Sequence, residues 1–249
     1  MNGVSPWISV LTTPARPEYL RDTLASIDDA GGRHFRGNRV VFVDGRIDDV
    51  PAVPAGWVKM TTGGPAARGS RRAMWKVLNF AALARVPYLL YFEDDVRLCR
   101  NAIDAMAGLV VPTGVAFIAM LNQKKGVSER HGIHCRRADD PANAPGHWGS
   151  QALKIPLRSL RAFERRHTEP INGWPYSSDV WLGSQLATRK SAEHHYGILV
   201  PSLVRHVGAR STIPTQETFA ADGHRAGLGY AGDDFNAELL PAILPVFGL

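Results

Sequence analysis

Three acidic residues in a row, Glu93-Asp94-Asp95, directly follow the apolar run Tyr88-Leu89-Leu90-Tyr91-Phe92. Carboxylates this close raise one another's pKa and repel. A hard divalent cation relieves the repulsion through oxygen ligands and leaves positions open for phosphate oxygens. The alternative is a solvated helix start, because Asp94 and Asp95 also suit a first helical turn, where the helix dipole favours negative charge. Two other polar clusters stand in the same relation to apolar runs. Thr12-Thr13-Pro14 ends Trp7-Ile8-Ser9-Val10-Leu11, and Asp44-Gly45 ends Val40-Val41-Phe42-Val43. Arg71 and Arg72 supply two guanidinium groups able to fork onto phosphate oxygens, although a short basic pair is equally a solvated surface feature.

The elements that must position these groups alternate in period. Short continuous apolar runs read as strands buried on both faces: 7–11, 40–43, 57–60 and 88–92. Between them Leu20, Leu24 and Ile27 lie at helical spacing and Gly31-Gly32 stops that helix. Met74, Leu78, Ala81 and Ala82 mark a second helix face, and Ile103, Met106 and Leu109 a third. Such alternation predicts an α/β fold with a largely parallel sheet covered on both faces. In these sheets ligands bind beyond the carboxyl ends of the strands, where Thr12-Thr13, Asp44-Gly45 and the triplet all fall. The second half is less regular. Residues 121–149, rich in Gly, Pro, His and Arg, read as a long functional or mobile loop. A strand over 150–155, a helix through Leu157, Leu160 and Phe163, a helix capped by Ser178-Asp179 and a strand over 196–201 follow. The tail from about 210 carries weak signals.

Composition bounds the function classes. A chain of 249 residues with 45% hydrophobic content is long enough for one well-packed α/β domain. No apolar run approaches the ~20 residues of a membrane-spanning helix, and Met1–Pro6 lack the basic start and apolar core of a signal peptide. The expectation is a soluble cytoplasmic protein without a transmembrane segment, with peripheral membrane contact left open. The formal net charge of +6 favours anionic partners such as nucleotides, nucleic acid or acidic headgroups. Cys99 and Cys135 belong to no CxxC pair and read as reduced, passive thiols.

The segment Tyr88–Val96 resembles the hydrophobic strand and DXD-type motif of GT-A glycosyltransferases, with Glu-Asp-Asp in place of Asp-x-Asp. The helix before it, with Arg71, Arg72 and Asn79, is similar to the one preceding that motif. Ile8–Thr13 with Arg16 resembles the first nucleotide-binding strand and loop, and Val43-Asp44-Gly45 the second strand end. Pro201–Gly208 is similar to a segment whose histidine often completes the metal site. The resemblance spans roughly residues 7 to 208 and implies a GT-A-like (Rossmann-like) three-layer sandwich, a single catalytic domain over 1–249. About 1–120 is then the nucleotide-sugar-binding half, and about 121–249 the acceptor-binding half and C-terminal tail. It implies metal binding by Asp95 and His206, and donor contacts from Thr12, Thr13, Arg16, Asp44, Arg71, Arg72, Glu93 and Asp94. It also places Asp179 as the acceptor-side base of an inverting transfer, with a helix N-cap as the alternative. Trp148 lies in a stretch similar to the acceptor side of such enzymes, with a plain core residue as the alternative. Imidazole at His206 suits Mn²⁺ better than Mg²⁺.

The implied activity is transfer of a sugar from a nucleotide-diphospho-sugar, UDP-sugar favoured, to an acceptor hydroxyl. The acceptor is a surface glycan or lipopolysaccharide or, as second choice, a hydroxymethylated pyrimidine in phage DNA. Two other classes stay open. One is a metal-dependent phosphoesterase or nuclease. The other is a non-catalytic basic nucleic-acid-binding protein, although no helix-turn-helix, zinc or RNA-recognition motif is present.

Overall fold

The computed structural model of the chain describes residues 4–63, 70–121, 130–137, 151–164, 182, 186–187, 195–208, 230–240 and 244–249. The first apolar run forms strand β1 (Trp7–Thr12). Leu20, Leu24 and Ile27 line the buried face of helix α1 (Pro17–Asp29). Pro17 opens that helix, where an amide would lack an intrahelical partner anyway. Gly31 follows with φ of 108°, a conformation glycine adopts without steric cost, and the helix ends there as expected.

Strands β2 (Asn38–Val43) and β3 (Trp57–Thr61) run parallel to β1 on one side. Helix α2 (Ser70–Leu83) then crosses back, and β4 (Tyr88–Glu93) pairs in parallel with β1 on its other side. The chain continues through β5 (Val96–Leu98), α3 (Ala102–Gly108), β6 (Val115–Ala119) and β7 (Gly132–Arg137). It goes on through β8 (Ala152–Pro156), α4 (Leu157–Glu164), β9 (His195–Val200), β10 (Val204–His206) and β11 (Val246–Phe247). Among the described residues nine strands form one mixed sheet in the order β11-β7-β9-β6-β8-β4-β1-β2-β3, and β5 and β10 form a separate antiparallel pair. The β3-β2-β1-β4 half is parallel throughout. Strand β8 runs antiparallel to both β4 and β6, and β7 antiparallel to β9.

Alternate residues of the strands feed two cores. Ile8, Val10, Val41 and Val43 pack with Leu24 and Ile27 of α1 and Met106 of α3. Leu11, Val40 and Phe42 pack with Met74 and Leu78 of α2 and Leu160 of α4. The protein is thus an α/β sandwich, with a large, mostly parallel mixed sheet between two helix layers in a Rossmann-like arrangement.

Several sequence expectations are revised. Part of 121–149, read as a loop, is strand β7; its Gly-Ile-His-Cys-Arg-Arg sequence shows no clean alternation, yet Ile133, His134 and Cys135 are buried. The apolar run Val115–Ala119 is a fully buried strand that periodicity alone did not separate from its surroundings. The triplet starts no helix: Asp94 and Asp95 occupy the turn between β4 and β5. The helix expected after Ser178-Asp179 falls outside the described residues, apart from Leu182 and Leu186, which are buried in the α2–α4 core. Among the described residues no helix is long and apolar enough to cross a membrane. Cys99 and Cys135 are buried free thiols, pushed up by burial to about 12 and about 11, which keeps them protonated and unreactive.

One buried cation ties strand β8 to the end of helix α3. Lys154 of β8 is 4% exposed, and its Nζ donates to the carbonyls of Met106 and Ala107, both at 2.8 Å, and of Leu109 at 2.5 Å. These are the orphan acceptors at the end of α3, where a positive charge also complements the helix dipole. Lys154→Met keeps the aliphatic stem but removes all three donors. It should lower unfolding free energy by about 2 kcal/mol, read by urea denaturation at neutral pH.

Candidate functional site

Chain order makes a switch point beside β1. After β1 the chain moves outward through β2 and β3, and α2 then carries it back to β4 on the opposite side. Helices α1 and α2 lie on opposite faces, and parallel pairing of β1 with β4 sets their carboxyl ends side by side, where sheets of this kind hold their ligand crevice. Thr12-Thr13 and Glu93-Asp94-Asp95 line it.

Asp94 and Asp95 are 2% and 4% exposed, so the triplet is no solvated acidic patch. Their neutralisation begins with Arg16, the residue that precedes α1. Its Nη1 lies 3.0 Å from Asp94 Oδ1, and its Nη2 is paired with Asp95 Oδ2. Thr12 donates its hydroxyl to Asp94 Oδ2 at 2.6 Å, and the Thr13 amide adds a backbone hydrogen bond to the same carboxyl. His206 approaches from the far end of the chain, with Nε2 2.9 Å from Asp95 Oδ2. Antiparallel pairing of β10 with β5 sets His206 opposite Val96, and the Val207 amide donates to the Asp95 carbonyl at 2.8 Å.

The two carboxyls differ in their proton affinity. Burial raises Asp94 to about 7, against the opposing pull of Arg16 and Thr12. Burial also pushes Asp95 upward, but hydrogen bonds and charge from His206 and Arg16 outweigh it and hold Asp95 below the usual carboxylate range. Arg16 and His206 therefore compensate chiefly Asp95, while Asp94 holds its proton more readily. Glu93, at the end of β4 and partly exposed, also acts on Arg16 through its charge.

The neighbouring strand end joins the same crevice. The Asp44 amide donates to the Thr12 carbonyl at 2.9 Å, so Thr12 contacts Asp44 through its backbone and Asp94 through its side chain. Asp44 is buried, which raises its pKa, while a 3.1 Å hydrogen bond from Thr62 and the charge of Arg72 lower it. Gly45, with φ of 151°, has no Cβ to collide with Pro14, and the loops after β1 and β2 close against each other there.

Thr12, Thr13, Arg16, Asp44, Glu93, Asp94, Asp95 and His206 thus converge. Arg72 acts on Asp44 from the first turn of α2, which Arg71 shares. Asp179 and Trp148 lie outside the described residues. Two contributors escaped the sequence reading. Thr23 of α1 accepts from the Val96 amide at 3.1 Å, and its hydroxyl faces the carbonyls of Asp94 at 2.8 Å and Val96 at 2.9 Å, pinning the acidic turn. Its signal was a hydroxyl on the buried helix face beside Leu20, Leu24 and Ile27, a position that demands a polar partner. Gly208 is the second: a Cβ there would collide with Asp95 Oδ2 and come within 3.1 Å of Arg16 Nη2.

The residues fit a divalent ion. Asp95 Oδ1 is buried without a hydrogen-bond partner, His206 turns Nε2 toward the same carboxylate, and the missing Gly208 Cβ leaves room beside it. His206 and Asp95, 2.9 Å apart through Nε2 and Oδ2, would be the imidazole and carboxylate that hold such an ion. Among the described residues no group of three or more His, Cys, Asp or Glu side chains gathers as a metal cage. A two-ligand site of this kind suits an ion that shares its remaining positions with water and phosphate.

The raised pKa of Asp94 sets a sign for pH dependence. Its folded value of about 7 exceeds the unfolded 3.8, so the native state holds this proton longer and stability falls as pH rises from about 4 to about 7. Without metal, that loss should be on the order of 4 kcal/mol, and Asp94→Asn should flatten it in denaturation measured across pH. An unchanged slope in the variant would show that Asp94 ionises normally.

No protein-family model matches this chain, and no curated protein shows significant similarity to it.

Proposed function

We propose that this chain is a metal-dependent GT-A glycosyltransferase that moves a sugar from a nucleotide-diphospho-sugar, UDP-sugar favoured, to an acceptor hydroxyl. The supporting observation is the contact between Asp95 and His206. The two residues are 111 positions apart, and β5–β10 pairing places them 2.9 Å from each other at the switch point of the sheet. A carboxylate with an unpartnered buried oxygen and an imidazole nitrogen turned toward it, beside a guanidinium and two threonine hydroxyls, form a donor set suited to a divalent ion and a diphosphate.

Asp95 and His206 hold Mn²⁺ or Mg²⁺ in this reading. Bound there, the ion supplies Lewis-acid stabilisation of the departing diphosphate. Arg16 and Arg72 carry positive charge toward the phosphates, and Asp44, held by Thr62 and the Thr12 backbone, offers its second oxygen to the nucleoside. Asp94 faces the donor sugar. Its burial and the bond it accepts from Thr12 fix the carboxyl's orientation before substrate arrives, which lowers the reorganisation needed at the reacting centre. The resemblance assigns the acceptor-side base to Asp179, and a surface glycan or lipopolysaccharide as acceptor.

Calorimetric and thermal-shift titration with UDP-, GDP-, CDP- and dTDP-sugars tests this reading. One donor, with Mn²⁺ present, should stabilise the protein by about 2.7 kcal/mol at a hundredfold excess over its Kd. Asp95→Ala should abolish that shift and His206→Ala should weaken Mn²⁺ binding about a hundredfold, while both keep a folded circular-dichroism spectrum. Failure of every nucleotide sugar to bind with Mn²⁺ present rejects the proposal. Asp179→Asn should retain donor binding and lose transfer, measured as sugar incorporated into acceptor. Full turnover in that variant would remove Asp179 as the base.

A further inference from the structure

We infer that Arg16 is a resident counter-cation of the acidic pair, competing with the divalent ion for Asp95 and leaving it for the donor diphosphate. Ion and nucleotide then bind cooperatively. The inference rests on the metal-dependent reading above and adds a coupling between its two ligands.

The geometry of Arg16 points to a displaceable partner. It occupies the N-cap of α1, where short polar side chains ordinarily cap the helix, and its own side chain makes no capping bond. Instead the guanidinium reaches across the β1 loop and divides its fork: Nη1 contacts Asp94, and Nη2 contacts Asp95. Asp95 Oδ2 also receives His206 Nε2, so the atom that Arg16 occupies is shared with the second metal-ligand candidate. An ion that takes Asp95 Oδ2 together with His206 contends with Arg16 for that oxygen.

The exchange balances charge. With Arg16 in place, its guanidinium is divided between the two acids. A divalent ion on Asp95 makes that positive charge surplus, and a diphosphate is the natural anion to receive it. Arg16 Nε is buried without a partner, so the present arrangement leaves one of its donors unused. The guanidinium lies 4.8 Å from the centroid of the Tyr19 ring, a cation–π platform along which its plane can shift while staying partly desolvated. Gly208, whose Cβ would crowd both Asp95 Oδ2 and Arg16 Nη2, keeps space open where the exchange occurs. By linkage, a diphosphate that draws Arg16 away must tighten ion binding by the same factor as the ion tightens diphosphate binding.

Mn²⁺ titrations followed by electron paramagnetic resonance of the free ion, with and without UDP, test the inference on wild type and Arg16→Gln. Wild type should bind Mn²⁺ about tenfold more tightly when UDP is present. Arg16→Gln should bind Mn²⁺ about tenfold more tightly than wild type without UDP, and should lose most of the UDP-dependent gain. It should also melt below wild type in the absence of metal and recover on adding Mn²⁺. If Arg16→Gln fails to fold, Arg16→Lys serves: the ammonium lacks the planar fork that spans the two acids, so Mn²⁺ should again bind more tightly than in wild type and UDP coupling should shrink. Wild-type Mn²⁺ affinity and full coupling in the folded variant would overturn the role of Arg16 alone. Absence of Mn²⁺ binding in both wild type and variant would overturn the metal-dependent reading, and this inference with it.

Discussion

Two neighbouring carboxylates, Asp94 and Asp95, sit in a turn at the carboxyl end of the central sheet with almost no access to water. Burying one charge costs several kcal/mol and burying two side by side adds their mutual repulsion. Such a turn persists only where the surrounding chain supplies compensating charge and hydrogen bonds, and here four segments do so. The β1 end contributes Thr12 and Thr13, the N-cap of α1 contributes Arg16, the middle of α1 contributes Thr23, and β10 contributes His206. The compensation is asymmetric. Asp95 gains enough from His206 and Arg16 to stay ionised, whereas burial dominates at Asp94. The ionised Asp95 keeps one carboxylate oxygen buried without a hydrogen-bond partner.

The fold meets these demands through topology. Placing β4 beside β1, rather than beside β3, makes the crevice and brings the triplet to the Thr12 loop. The β5–β10 ribbon is short, yet its register determines that His206, and not Arg205, faces Asp95: Arg205 pairs instead with Asp233 at 3.0 Å. Away from the crevice, Lys154 and Arg158 bind the carbonyls between α3 and β6 and join the antiparallel β8–α4 unit to the α3–β6 connection. Polar groups buried on both sides of β4 thus carry different tasks, one holding layers together and the other concentrating charge where the strands end.

Much of the architecture was visible in local pattern. Continuous apolar runs identified β1, β2 and β4 because both faces of these strands are covered, and edge strand β3 although only Trp57 in it is buried; helical spacing identified the buried faces of α1, α2 and α4. Strand β7 was missed because its sequence mixes Gly, His, Cys and Arg, and its inner residues become buried only between β9 and β11. The acidic triplet was recognised as unusual, but its helix-start and strand-end readings could not be separated, since a first helical turn and a β-turn accept the same residues. Thr23 and Gly208 passed unnoticed because one acts through its hydroxyl on a distant turn and the other through an atom it lacks.

Sequence alone determined the α/β class, the strand ends at Thr12, Asp44 and Glu93, and the presence there of more acidic charge than a strand end requires. These are local properties, set by side-chain periodicity and by which residues interrupt it. Tertiary structure decided that Asp94 and Asp95 are buried rather than solvated, that Arg16 bridges them, and that His206 completes the group. Those contacts join residues 79 and 111 positions apart, and they depend on strand order and on the β5–β10 register. Neither is encoded in any short window of sequence, because pairing partners are chosen by the packing of the whole sheet.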